Sequence, residues 1–178
     1  KNDNGLLPLA ADKTVVLFGL AAYAPYPYAS GDLKAGNEDA VDLQDALRAA
    51  GVALNEDVAA LYNEKLLNKH IEMVPNPWTG VEVPTTSYDN IYVAAPGDWT
   101  EYKIAEVPPT SYEGLGFPAG WTGKTDKNSS VGIVVFARGA GEGNNYKPGS
   151  ALDYQGNPTG EDPLKLSAYE LAVVYLAK

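Results

Sequence analysis

Two continuous apolar runs constrain the fold of this chain more than any other feature of its sequence. "KTVVLFGL" (Lys13–Leu20) and "SVGIVVFAR" (Ser130–Arg138) are short and rich in β-branched residues. Such runs are typical of strands buried on both faces in parallel sheets, whereas a strand with one face in water alternates apolar and polar residues. We therefore expect both runs to lie in a mainly parallel sheet.

Helical patterns follow the first of these strands. In "DAVDLQDALRAAG" the residues Ala40, Leu43, Leu47 and Ala50 share one helical face, and Gly51 is a natural C-terminal stop. Residues 51–54 ("GVAL") predict a short strand, and residues 56–69 ("EDVAALYNEKLLNK") predict a second helix. The alternation of strands and helices is typical of an α/β fold.

A last helix is predicted in "LSAYELAVVYLAK", where Ser167 and Glu170 form the sequence pattern of a capping box. No strand follows it, although a strand–helix–strand unit needs one. We therefore expect a single domain over residues 1–178 that is an incomplete α/β layered sandwich, with a mainly parallel sheet flanked by helices.

Residues 75–123 differ in composition from the rest. They contain many prolines, all three tryptophans (Trp78, Trp99 and Trp121) and no helical period. We interpret them as an insertion-like excursion of short strands and turns. The tryptophan rings can pack on a pyranose ring, but packing in the core or in turns explains them as well.

Charge and composition exclude several kinds of partner. The formal charge of −10 repels nucleic acid and anionic lipid, so neither a nucleic acid nor a membrane is expected as a partner. The lack of cysteine excludes disulfides and thiolate-bound metals, and it slightly favours a cytoplasmic over a secreted protein. The single histidine, His70, excludes a histidine-based metal cluster, so no metal or cofactor is expected.

The second apolar run leads into "GAGEGNNYKPG", a glycine-rich loop with a single carboxylate, Glu142. Three interpretations are open from the residues alone. A phosphate loop is disfavoured because a carboxylate at its centre would repel the anion. The glycines can simply form a turn with a solvated acid, or Gly141 and Gly143 leave room for a substrate to approach Glu142 as a proton donor.

The loop after the first strand is the natural neighbour of the Glu142 loop. Ligands of open parallel sheets bind beyond the carboxyl ends of the strands. If the two strands are adjacent, the loop "AAYAPYPYASGD", which ends at Asp32, lies on the same side as Glu142. Asp32 can contact a sugar hydroxyl or serve only a turn.

An ordered set of short motifs resembles the second domain of glycoside hydrolase family 3. "KNDNGLLPL" followed by "KTVVLFG" resembles the opening of that domain, and "ASGD" resembles its "GSGD" element. "DALRAAG", "VVFARGAGEG" and "LKLSAYEL" resemble later elements in the same order. The matches run from end to end of the chain apart from residues 75–123.

This resemblance implies a function and a set of site residues. Members are retaining, exo-acting β-glycosidases, many of them β-glucosidases, in which a barrel domain carries an aspartate nucleophile. Their α/β domain lends the acid/base, which corresponds to Glu142 here. Beside it, we predict substrate-contacting positions at Asp32, Gly141, Gly143, Tyr146 and Lys147. The implied partners are a β-linked oligosaccharide or glycoside and a barrel domain of the same enzyme.

The chain also departs from the family pattern. Ala140 stands where serine is usual, and Asn145 and Tyr146 stand where an Asp–Arg pair is common. An alternative function is therefore a non-catalytic carbohydrate-binding or scaffold domain, in which Glu142 only accepts a hydrogen bond.

Overall fold

The computed structural model describes residues 7–23, 41–67, 69–75, 79–88, 104, 106–115, 129–138 and 145–178. Its centre is a three-stranded parallel sheet formed by β1 (Thr14–Phe18), β2 (Ala53–Leu54) and β5 (Ser130–Val134), in the order β2-β1-β5. β1 pairs in parallel with both neighbours, and its pairing with β5 runs from Thr14 opposite Ser130 to Phe18 opposite Val134. The predicted coarse α/β fold is confirmed, and the two apolar runs lie next to each other in the sheet.

β1 is the buried strand of this sheet. Val15 to Phe18 are at most 2% exposed, as the continuous apolar run predicts. β5 is only partly buried, because among the described strands it pairs with β1 alone. The expectation that its run is buried on both faces was therefore wrong.

Helix α1 (Leu43–Ala49) begins at Asp42, whose side chain accepts the Asp45 N–H at 2.8 Å. It ends before Gly51, which has the left-handed φ of +76° that favours glycine after a helix. The predicted apolar face is correct at Leu43 and Leu47, which pack against the core. It is wrong at Ala50, which is exposed.

The predicted helix over residues 56–69 is shorter in the structure. Helix α2 (Glu56–Ala60) continues as a π-helix over Leu61–Leu66, and a strand, β3 (Lys69–Pro75), begins at Lys69. β3 pairs with β4 (Glu82–Tyr88) as an antiparallel hairpin. This pairing makes Lys69 part of a strand. The partner strand lies outside residues 56–69, so the helical pattern of those residues could not predict it.

Two further helices pack near the parallel sheet. Helix α3 (Pro109–Gly114) lies inside residues 75–123, for which the sequence predicts strands and turns. It starts with a proline in its first turn, a favoured position. Helix α4 (Ala168–Leu176) has the predicted capping box: the Ser167 hydroxyl accepts the Glu170 N–H, and the Glu170 carboxylate accepts the Ser167 N–H.

The hydrophobic core lies between β1 and these helices. Its largest buried side chains are Phe18, Leu20, Tyr23, Tyr62, Leu67 and Val173. Within the described ranges, no helix is long and apolar enough to cross a bilayer.

Candidate functional site at the carboxyl ends of β1 and β5

The backbones of β1 and β5 touch at the point where both strands end. Gly19 follows β1 with a φ of +90°, and a Cβ atom built on it would lie 2.3 Å from the Val135 carbonyl oxygen. The Val135 N–H donates to the Phe18 carbonyl at 2.9 Å, which continues the pairing beyond the last residues of the strands. Only glycine fits this position, because both its φ and the space beside it exclude a side chain.

A buried carboxylate, Glu106, holds the first residue after Gly19. Its Oε2 atom accepts the Leu20 N–H at 3.1 Å, and its Oε1 atom accepts the N–H of its neighbour Val107 at 3.1 Å. Oε1 also accepts the Tyr112 hydroxyl at 2.5 Å. Glu106 is 3% exposed, so this group is removed from water and relies on these three donors.

Two further tyrosines complete the buried cluster around this carboxylate. The Tyr62 hydroxyl accepts the Gly19 N–H at 3.0 Å. The Tyr62 ring stacks on Tyr23 with centroids 4.2 Å apart and meets the Tyr112 ring edge-on at 5.8 Å. Residues from the π-helix, from α3 and from the segment after β1 thus meet at one point behind the strand ends.

Burial raises the pKa of the Glu106 carboxyl group to about 7. Loss of solvation is the largest cause, and the hydrogen bonds from Tyr112, Val107 and Leu20 reduce the rise without cancelling it. The negative charge of Glu170 raises this pKa slightly further. Among the described residues, no cationic side chain forms an ion pair with Glu106.

Beyond β5, Arg138 ties the chain to the start of α4. Both outer guanidinium nitrogens contact the Glu170 carboxylate, whose side chain is 1% exposed. The same guanidinium donates to the carbonyls of Pro163 at 3.2 Å and Lys165 at 2.9 Å. Glu170 therefore caps α4 and neutralises Arg138 with one carboxylate, which fixes the chain immediately before residue 139.

The predicted site residues fall into two groups. Asp32, Gly141, Glu142 and Gly143 lie outside the described residues, as do the three tryptophans. Tyr146 is described: it is 46% exposed, and its hydroxyl donates to Asp162 Oδ2 at 3.0 Å. Lys147 is exposed, and its carbonyl accepts the Ser150 hydroxyl at 2.6 Å.

Comparisons with protein-family models, with curated proteins and with solved structures find no match to this chain. The family resemblance seen in the sequence therefore stays a hypothesis.

Two further features of the described part of the chain concern metal and ligand binding. Within those ranges, no group of three histidine or acidic side chains is placed to hold a metal ion. A cavity of about 300 Å³ is lined by Ile104, Asp153, Pro158, Thr159, Glu161 and Tyr169. Asp153 is occupied there by donors of its own turn, and the Thr159 hydroxyl donates to the Ala151 carbonyl.

One local pattern in the sequence indicates that Glu106 is buried. "IAEV" (residues 104–107) places a single acid inside a short apolar run. An acid among buried neighbours needs partners or an altered pKa. Nothing local indicates that those partners are Leu20, far along the chain, and Tyr112.

Proposed function

We propose that this chain is the acid/base-bearing α/β domain of a retaining, exo-acting β-glycosidase of the family 3 type, with Glu142 as the proton donor. The proposal is carried by one observation together with the sequence motifs. β1 and β5 pair directly in parallel up to Phe18 and Val134, so the segments that lead to Asp32 and to Glu142 leave from the same edge of the sheet.

Fixed contacts on both sides of residues 139–144 support this role. Arg138 precedes that segment and is held by Glu170 and by two carbonyls of the chain before α4. Tyr146 follows it and is bonded to Asp162. A proton donor must reach a leaving oxygen at hydrogen-bonding distance, and a segment anchored at both ends limits where Glu142 can be aimed.

In the proposed reaction, Glu142 first protonates the glycosidic oxygen as the aglycone departs. It then takes a proton from the water that attacks the glycosyl-enzyme intermediate. Retaining chemistry requires a second carboxylate about 5 Å away as nucleophile, and in this proposal an aspartate of a barrel domain supplies it. The layered sandwich, the insertion at residues 75–123 and the sugar-contacting roles of Tyr146 and Lys147 belong to the same proposal.

The test is Glu142→Gln in an enzyme that joins this chain to its barrel domain. Turnover of phenyl glycosides, whose leaving group needs a proton, should fall roughly 10²- to 10⁴-fold. Turnover of dinitrophenyl glycosides should fall far less at the glycosylation step, because that leaving group departs without protonation. Glu113→Gln, which changes an exposed acid of α3, is the matched control and should leave both rates unchanged.

Two outcomes would contradict the proton-donor role. Equal losses on both substrates would indicate that Glu142 only binds or orients the sugar. Unchanged turnover, with measurable sugar affinity of the 178-residue chain alone, would favour the non-catalytic carbohydrate-binding domain. The proposal also predicts that this chain alone hydrolyses no aryl glycoside above background.

A further inference from the structure

We propose that Glu106 is a positioning residue whose ionised carboxylate fixes the backbone at the carboxyl end of β1, and that uptake of one proton by this buried cluster changes that backbone. The inference concerns Gly19, Leu20 and the side chains behind them. It does not involve Glu142 and does not depend on the proposed glycosidase activity.

Two side chains hold the backbone at the carboxyl end of β1. The Glu106 carboxylate accepts the Leu20 N–H, and the Tyr62 hydroxyl accepts the Gly19 N–H. Gly19 also lies against the Val135 carbonyl, in the segment that follows β5. The conformation of the backbone that leaves β1 is therefore set by two side chains that come from distant parts of the sequence.

The hydrogen bond between Tyr112 and Glu106 determines where an added proton can go. In the ionised cluster, the Tyr112 hydroxyl donates to Glu106 Oε1. A proton placed on Oε1 reverses this bond: the carboxylic acid donates to the Tyr112 oxygen, and the Tyr112 proton turns toward Tyr62, with whose hydroxyl it already interacts. Oε2 stays the acceptor of the Leu20 N–H, but as the carbonyl oxygen of a neutral acid it is a weaker one.

The electrostatic surroundings of Glu106 set the pH at which it exchanges this proton, and that pH is near neutral. Among the described residues, the titratable side chains that interact with Glu106 are Tyr62, Tyr112 and Glu170. One step further out, Tyr23 stacks on Tyr62 and Arg138 pairs with Glu170. Burial raises the pKa values of the three tyrosines, so they remain neutral. Arg138 is engaged by Glu170, so no free cation in the described part of the chain holds Glu106 ionised.

The experiment is an NMR titration of the 178-residue chain from about pH 3 to about pH 9. The ¹³C shift of the Glu106 carboxyl and the ¹H and ¹⁵N shifts of the Leu20 amide should titrate together, with one midpoint near 7. A carboxyl midpoint near its ordinary value of 4.5 would overturn the proposal. So would a Leu20 amide that does not move while Glu106 titrates, which is the result expected of a merely structural contact.

Two variants sharpen this test. In Glu106→Gln the amide nitrogen donates to Tyr112 and the amide oxygen accepts from Leu20, as in the protonated acid, whereas the Val107 N–H loses the acceptor that Oε1 provides. Its Leu20 amide shift should match the low-pH shift of the wild type and should not change with pH. Glu113→Gln, the same change at an exposed site of α3, should keep the wild-type titration; equal loss of the titration in both variants would overturn the proposal.

Tyr112→Phe keeps the test decisive if Glu106→Gln does not fold. Removal of this hydroxyl takes away a hydrogen bond that lowers the pKa of Glu106. The shared midpoint of Glu106 and Leu20 should therefore move to higher pH. An unchanged midpoint would contradict the coupling between Tyr112 and the carboxyl group.

Discussion

Glu106 Oε2 accepts the backbone N–H of Leu20 at 3.1 Å across 86 positions of sequence. This bond joins the segment before α3 to the residue that follows the central strand by two positions. It lies in a site where the carboxylate has lost its water and has gained only neutral donors. The ionised form of Glu106 is thus the one that fixes the backbone at the end of β1, and it is also the form that burial disfavours.

The first prediction is a dependence of stability on pH. Glu106 has a pKa of about 7 in the folded chain and an ordinary value of 4.5, so the folded state binds more protons between these values. Its stabilising contribution is complete below about 4.5 and is lost as pH rises through 7. The difference is on the order of 3 kcal/mol in the free energy of unfolding.

Urea unfolding at a series of pH values checks this prediction through the difference in the free energy of unfolding between Glu106→Gln and the wild type. The stability of Glu106→Gln relative to the wild type should rise with pH across this window, because the substituted amide does not ionise. Glu113→Gln, which changes an exposed acid, should run parallel to the wild type. A constant gap between wild type and Glu106→Gln would show that Glu106 does not titrate in that range.

The second prediction concerns the contact between the two strand ends. Gly19→Ala places a Cβ 2.3 Å from the Val135 carbonyl oxygen at a φ of +90°, so the strand ends must separate. We expect a loss of about 3 kcal/mol or more in the free energy of unfolding, measured in urea.

Gly51→Ala is the matched control for this contact. Gly51 has a similar φ of +76° but nothing within 4 Å of the added Cβ, so only the backbone cost of about 1 kcal/mol applies. Similar losses in the two variants would mean that the Val135 contact relaxes at little cost.

Local patterns predicted the elements whose causes are local. The apolar run that ends at Phe18, the glycine stop at Gly51 and the capping box of Ser167 and Glu170 depend on residues within a few positions of one another. Each was found as expected because strand burial, helix termination and capping follow from neighbouring residues.

The remaining features depend on partners far along the chain. The strand at Lys69 exists through its pairing with Tyr88, and the cluster around Glu106 joins residues 19, 62 and 112. Arg138 was expected only as the end of a strand, yet it pairs with Glu170. No periodicity within one segment contains these contacts, so sequence patterns alone could not predict the buried cluster at the strand ends.

A third prediction tests the cap of α4. Ser167→Ala removes the oxygen that accepts the Glu170 N–H at 3.2 Å and should cost about 1 kcal/mol of stability. Ser167→Thr supplies another neutral acceptor and should recover most of this loss. Thermal and urea unfolding measure both variants, and a loss below the error of the measurement for Ser167→Ala would show that the Glu170 half of the box suffices.

The fourth prediction compares a buried ion pair with an exposed one. Arg138→Met leaves Glu170 buried at 1% exposure without its cation, and we expect a loss of about 3–5 kcal/mol in the free energy of unfolding. Arg48→Met breaks a pair with Glu56 in which both side chains are largely in water, and it should cost at most about 1 kcal/mol.

The double variant Arg138→Met/Glu170→Gln separates the two causes of this loss. It removes the unpaired charge while keeping an amide that can accept the Ser167 N–H, so it should be more stable than Arg138→Met alone. If the double variant is instead less stable than Arg138→Met, the cap made by the Glu170 carboxylate outweighs the cost of burying its charge. The capping role of Glu170 would then matter more for stability than its ion pair with Arg138.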